Sequence, residues 1–251
     1  MTKTTVSLVM EIAQQMVESG AEISRVEESI TRICEAYGCE PEVYATSSNV
    51  IVSVLTEAGT QYTQTRRIKG SSLNIERVHL LNDLVRRICT SRLSDDQIDR
   101  ELKDIARISP YPRWLCVLFY AVIAASFCLF FGSRSWLETL FSAGIGALVG
   151  LAGMGLDRLR ANRILSRFLC SFLACASSLL LWKSGFAATA DHMIIGNIMS
   201  LNPGIGLTNA LKDLFMGDTV TGMLRFLEAG LLAAAIAFGF WAAVFVTGGI
   251  V

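Results

Sequence analysis

The sequence predicts an α+β cytosolic N-terminal domain over residues 1–112. An all-α membrane domain of about five transmembrane helices follows over 113–251, its fourth helix broken at Asn202-Pro203-Gly204. Three observations lead there. The 251 residues are 52% hydrophobic with a mean hydropathy of +0.48, and nearly all of that excess lies after residue 113. The first stretch instead shows amphipathic helical spacing on either side of a β-rich segment. Beyond residue 113, uncharged runs reach the roughly 20 residues that a helix needs to cross a bilayer.

Composition narrows the function classes. Lys and Arg total 22 against 22 Asp and Glu, so no basic field points to nucleic acid. No phosphate-cradling P-loop occurs, which argues against ATP-driven transport by this chain. Two histidines and seven cysteines without a CxxC pair do not suggest a metal site. The cysteines read as free, buried thiols, and no cofactor is expected. The opening MTKTTVSLVMEIAQQ lacks the long apolar core and cleavage site of a signal peptide.

In chain order, Val9, Ile12, Ala13, Met16 and Val17 recur at helical spacing. Ile23, Val26, Ile30, Ile33 and Tyr37 do so again before Gly38, which suits a helix C-terminal cap. EVYATSS and NVIVSVL read as strands, and Glu57-Ala58-Gly59-Thr60 suits a hairpin connection into QYTQTRR. A helix from about Ile75 to Cys89 buries Val78, Leu81, Val85 and Ile88, and Ser94-Asp95-Asp96-Gln97 is a capping-box pattern for a last short helix. Glu22 and Arg25 can meet one turn apart on a charged face that Glu27 extends. Ser48-Asn49 sit where strand meets turn, explained by local backbone hydrogen bonding. Carboxylates here could serve acid–base chemistry, but no nucleophile or metal accompanies them. His79 reads as a tolerated residue of an apolar helix.

Tyr111-Pro112-Arg113-Trp114 marks the approach to the membrane, with rings suited to the interface. Five candidate spans follow, at 114–131, 139–156, 164–182, 193–211 and 229–251. Arg158, Arg160 and Arg163 separate the second from the third, and Lys212 and Arg225 follow the fourth. The opposite loops hold only Arg134 and Lys183, so the N-terminal domain is expected in the cytosol and the C-terminus outside. Gly146 and Gly150 form a GxxxG pair, read as helix packing within the chain, with a separate subunit as the alternative. His192, beside Asp191 at the outer mouth of the fourth span, could titrate near neutral pH.

The fourth span carries the chemistry. Proline removes a backbone donor and clashes with the preceding turn, so the helix breaks or kinks at Asn202-Pro203-Gly204. In hydrocarbon the freed carbonyls need partners, and such a break survives only against protein or around a wet cavity. Pro203 suits the first position of a new helix capped by Asn202, whose positive end would face the break and attract a carboxylate. Thr208, Asn209, Lys212 and Asp213 share one face of that helix. Gly217 can end it, and Asp218 can cap the next. Arg225 and Glu228 lie one turn apart at the mouth of the last span, where ionisable groups are costly unless paired or wetted.

Pro203-Gly204, LTNA at 207–210, Asp213, Gly217-Asp218, Gly222, Arg225 and Glu228-Ala229 form one set of motifs. With GAEISRVE at 20–27 and SSN at 47–49, the chain resembles the threonine/serine exporter family over essentially its whole length. Lys212 stands where many members have arginine, Thr221 where serine is common, and Asn202 where an apolar residue is common. Single-chain members have a cytosolic domain and about twice as many spans. The chain is therefore similar to the larger subunit of the split bacterial form, whose smaller membrane partner supplies the other half. The resemblance implies a cargo of dicarboxylates such as succinate, or of threonine and serine.

The resulting expectation is a multi-pass subunit of a bacterial inner-membrane exporter of small carboxylate-bearing metabolites. Asn202, Pro203, Gly204, Thr208 and Asn209 would line the substrate pathway. Asp213, Asp218, Arg225 and Glu228 would form a charge network that recruits substrate or couples its movement to ions. Glu22, Arg25, Glu27, Ser48 and Asn49 are the candidates in the cytosolic domain. The rival readings are a membrane-anchored ligand sensor or enzyme acting through the soluble domain, and a homo-oligomeric channel needing no partner.

Overall fold

The computed structural model describes residues 2–55, 59–70, 73–91, 93–108 and 111–248. It is mostly helical, with one three-stranded sheet near the N-terminus. The chain divides into two compact units: Met1–Ser109 with Asn209–Met223, and Pro110–Thr208 with Leu224–Val251.

In the first unit, α1 (Lys3–Glu18) and α2 (Ile23–Ala36) are amphipathic helices whose apolar faces meet over the sheet. Each ends on a glycine in the left-handed region, Gly20 at φ 84° and Gly38 at φ 69°. The amides of Ala21 and Cys39 reach back to Met16 O and Cys34 O at 3.0 Å, which satisfies carbonyls left open at the helix ends. Strands β1 (Glu40–Ala45), β2 (Asn49–Leu55) and β3 (Gln61–Arg67) form an antiparallel sheet in chain order. Its register pairs Ala45 with Val50 and Asn49 with Arg67. Along β2, Val50, Val52 and Val54 face the core while Ile51, Ser53 and Leu55 face away, the alternation of a half-covered sheet. Residues 56–58, including Glu57 and Ala58 of the expected hairpin, lie outside the described residues, whereas Gly59 has φ 74°.

Helices α3 (Ile75–Ser91) and α4 (Asp95–Ala106) close this core with Leu81, Leu84, Ile88, Ile98 and Leu102. The Ser94 amide donates to Gln97 Oε1 at 3.0 Å, as the capping pattern predicts. Thr5 Oγ1 donates to Asp95 Oδ1 at 2.9 Å, tying α1 to the start of α4.

The second unit is built from α5 (Arg113–Phe130), α6 (Trp136–Arg158), α7 (Arg163–Lys183), α8 (Asp191–Met199) and most of α10 (Thr219–Thr247). Among the described residues, four helices are long and apolar enough to cross a membrane: α5, α6, α7 and α10. The fourth expected span is instead divided between α8, of 9 residues, and α9 (Gly204–Phe215), of 12. Neither half has the length of an ordinary spanning helix. The last helix also begins earlier than the apolar run suggests, at Thr219 rather than near Ala229. Its 29 residues extend about 43 Å, beyond the roughly 30 Å hydrocarbon core.

Packing in this unit relies on close backbone approach. A Cβ built on Gly146 would lie 2.6 Å from Ala124 Cβ and 2.7 Å from Tyr120 O, and one on Gly150 would meet the Tyr120 ring at 2.9 Å. The GxxxG pair therefore packs against α5 of the same chain. Gly196 of α8 approaches Ala124 O in the same way, and Gly239 of α10 approaches Phe168 O. Outward, Phe119, Val122, Leu140, Leu151, Phe238, Trp241 and Phe245 are exposed, an apolar surface suited to lipid or to another membrane protein.

Gly146→Ala should lower the melting temperature of the purified chain, because overpacking a tight helix contact costs about 1–3 kcal/mol. Gly144→Ala, whose Cβ would meet nothing within 4 Å, should leave it unchanged or raise it, since alanine is the better helix former. Equal melting temperatures for both variants would contradict the α5–α6 packing.

Candidate functional site

The break is where the sequence places it, with one shift of detail. The first amide bond of α9 runs from Leu207 N to Pro203 O at 2.9 Å, so Pro203, not Asn202, takes the capping position. Proline has no amide of its own to leave unsatisfied there, while the amides of Gly204, Ile205 and Gly206 have no acceptor within the helix. Asn202 is exposed and lines a hollow of about 280 Å³ with Ile198, Ala233, Ile236, Ala237 and Phe240. Gly204 and Thr208 are also exposed, and Thr208 Oγ1 donates to Gly204 O at 3.0 Å. The Thr208 hydroxyl therefore serves its own helix first and keeps only acceptor capacity for a ligand.

Asn209, next along the chain, belongs to the first unit. There it lines a hollow of about 210 Å³ with Gly20, Glu22, Arg25 and Val78. Structure thus brings Glu22, Arg25 and Asn209 together, but the expected Glu22–Arg25 pair gives way to a longer-range one. Lys212 Nζ donates to Glu22 Oε2 at 2.7 Å, joining two motifs 190 residues apart. Helical spacing finds partners one turn away and is blind to such a pair.

Gly217, at φ 93°, ends α9 as its residue type suggests. Its amide donates to Leu214 O at 3.2 Å and that of Asp218 to Asp213 O at 3.0 Å, the double closure of a Schellman motif. Asp218 then caps α10, accepting from the Thr221 amide at 3.4 Å. Asp213 is buried, as is Thr221, whose hydroxyl has no hydrogen-bond partner. A Cβ on Gly222 would meet Leu214 N at 2.8 Å, so the two helices meet tightly at this corner.

Glu27 accepts from the Ala45 amide at 2.8 Å and so pins α2 to the end of β1. Burial pushes its carboxyl above the ordinary range, the Ala45 hydrogen bond opposes that shift, and the Asp218 charge adds to it. Nearby, the turn before β2 is shaped by Thr46, whose Oγ1 accepts from the Ser48 amide at 3.3 Å and the Asn49 amide at 3.0 Å. Thr46 supplies the acceptor for the turn at Ser48-Asn49, while Asn49 Oδ1 is buried without a partner, so local bonding accounts for the backbone of this turn and not for the Asn49 side chain.

In the second unit, Glu228 takes Arg163 as its ion-pair partner at 3.6 Å. Arg225 is half-buried in the same unit, one turn before Glu228. Arg163, read from sequence only as an orientation signal, is therefore a direct neighbour of one expected site residue. A second group that the sequence reading missed centres on Glu138, a buried residue in the first turn of α6. It accepts from Ser133 Oγ at 2.8 Å and from the Ala188 and Thr189 amides at 3.0 and 3.1 Å, with His192 Nδ1 at 3.8 Å. Ser135 followed three residues later by Glu138 is a capping-box pattern that could have exposed it. Farther along, Asn197 Nδ2 donates to Ser142 Oγ at 3.1 Å, and Ser142 Oγ donates to Ala124 O at 3.1 Å. These bonds form a buried polar seam linking α5, α6 and α8.

With this geometry in place, comparison decides the family. The profile described as "Putative threonine/serine exporter" matches residues 7–247. The chain belongs to this family. Relatives include the "Probable succinate transporter subunit YjjP" of Klebsiella aerogenes, 29% identical over 92% of this chain and 90% of that protein. The protein of the same name from Escherichia coli is 28% identical over 89% of this chain and 87% of its own length. The "Pheromone-regulated membrane protein 10" of Eremothecium gossypii is 23% identical over 57% of this chain and 20% of that protein. No solved structure matches. Membership in an exporter family and four apolar helices support a multi-pass membrane protein that exports.

The raised Glu27 pKa gives a signed pH effect. The folded state holds the Glu27 proton more tightly, so its contribution to stability is present below the ordinary glutamate pKa of about 4.3 and is lost as pH rises through the folded value. Glu27→Gln, which keeps an acceptor for Ala45, should be more stable than wild type near pH 7, with the difference vanishing near pH 4. Parallel melting curves of the two proteins across pH check this. A constant gap at every pH would contradict it.

Proposed function

We propose that the chain is the larger subunit of a bacterial inner-membrane exporter of small carboxylate-bearing metabolites, acting with a smaller membrane partner. In this reading residues 1–112 are cytosolic, and α8 with the start of α9, residues 191–208, forms a fifth, broken crossing. The observation that carries it is the exposed break. Asn202, Gly204 and Thr208 lie open at the start of a helix whose first three amides have no intrahelical acceptor. Lipid cannot satisfy those groups, and water or a partner can. A helix N-terminus favours negative charge, which suits a substrate carboxylate.

The exposed apolar surfaces of α5, α6 and α10 supply area for the partner, and the subunit wording in the names of the two bacterial relatives supports its existence. Succinate is the first cargo to test on the same ground, with threonine and serine next from the family description. Asp213, Asp218, Arg225 and Glu228 would recruit substrate or couple its movement to ions, from positions divided between the two units.

The test is efflux from cells preloaded separately with labelled succinate, threonine and serine. It compares this chain, this chain with its small partner, and neither. Partner-dependent efflux of one substrate is the expected result. No efflux under any condition, with both proteins found in the membrane, would overturn the reading and favour a sensor working through the soluble unit.

A further inference from the structure

Among the described residues, Arg160 is the one non-glycine with a left-handed backbone, at φ 52°. It ends α6 at the position where glycine usually stands. Its amide donates to Asp157 O at 3.1 Å and that of Ala161 to Leu156 O at 3.0 Å, the same closure that uses Gly20, Gly38 and Gly217 elsewhere in the chain. Glycine adopts this conformation without a Cβ clash, so an arginine held there points to a use for the side chain beyond the turn.

The surroundings indicate that use. Arg160 lines a hollow of about 470 Å³ together with Asn162, Arg163, Glu228 and Leu231. That volume falls within the roughly 300–1,000 Å³ of small-molecule sites. Two arginines therefore line one hollow. Asn162 spends its Oδ1 on the Ile164 amide at 2.9 Å, which leaves its NH₂ free of that task and able to donate. The Arg163–Glu228 pair is 3.6 Å long, with side chains 57% and 61% exposed. Ion pairs so exposed contribute little, and another carboxylate can replace one partner at small cost.

We propose that this hollow is a dicarboxylate-binding site of the second unit. Arg160 holds one carboxylate of the substrate, and Arg163 holds the other after exchanging Glu228 for it. The inference rests on the exporter reading for its substrate class. It goes beyond that reading in assigning the site, in placing it away from the break, and in giving two-carboxylate selectivity to two separate arginines. Guanidinium groups suit this task because each can bind a carboxylate through two parallel hydrogen bonds. An anionic lipid headgroup would use one or both arginines in a different way, and the experiment separates it.

The full-length chain in nanodiscs of phosphatidylcholine alone is titrated with labelled succinate, and melting temperature is measured in parallel. Wild type should bind saturably, with butyrate, a monocarboxylate of equal length, at least about tenfold weaker. Arg160→Gly and Arg160→Asn, both compatible with the left-handed turn, should weaken succinate binding about tenfold or more without lowering the melting temperature. Glu228→Gln should tighten it severalfold by removing an internal rival for Arg163. Absence of saturable binding by wild type, or binding unchanged in both Arg160 variants, overturns the proposal. So does an Arg160 effect confined to vesicles containing phosphatidylglycerol, which would assign the arginines to lipid. Partner-dependent succinate efflux by Arg160→Gly at the wild-type rate, at low and high internal succinate, overturns the hollow and leaves the exporter reading standing. Failure of wild type to export removes the exporter reading itself.

Discussion

Backbone polar groups have no partners in hydrocarbon, and that constraint governs how the stretch from Ile198 to Thr208 is to be understood. Pro203 stops the helix, Asn202 N reaches Met199 O only at 3.4 Å, and the next helix starts afresh from Pro203 O. A soluble protein would treat this as an ordinary turn. In a chain whose neighbouring helices are long enough to cross a bilayer, the same turn demands protein or water around it. Either the proposed partner or a wet substrate route would meet that demand.

Around the break the chain invests in rigid packing. Gly146, Gly196 and Gly239 let α6, α8 and α10 approach neighbouring backbone closely, and the seam from Asn197 through Ser142 to Ala124 O fixes α8 against α5 and α6. Glu138 anchors the loop before α8 through two amides. The short helix ahead of the break is thus held by close contacts and by buried hydrogen bonds to the same neighbouring helices. A polar opening needs such a fixed frame if it is to bind a small ligand in one geometry.

Much of this was legible in the sequence because it depends on local rules. Gly38 and Gly217 cap their helices since a left-handed residue is needed there, and Ser94 with Gln97 closes α4 by a four-residue pattern. The break at Pro203 needs nothing beyond the chemistry of proline. Long-range choices were hidden. Glu22 has an arginine one turn away yet bonds Lys212, and Glu228 has Arg225 one turn away yet pairs with Arg163. Hydropathy placed the last span near Ala229, while the helix begins at Thr219 because Asp218 and the corner with α9 start it there. The grouping of Asn209–Met223 with the N-terminal residues depends on tertiary contacts, which periodicity does not encode.

The most direct test of the central claim is whether the break meets water in the membrane. Gly206→Cys adds a thiol where a new Cβ would touch nothing within 4 Å, and the seven native cysteines are buried or half-buried. In intact membranes containing the small partner, this thiol should react with a small hydrophilic maleimide faster than the wild-type background, and succinate should slow the reaction. A thiol that stays unreactive in the membrane and reacts only after detergent extraction would place the break against lipid or dry protein, contradicting the account.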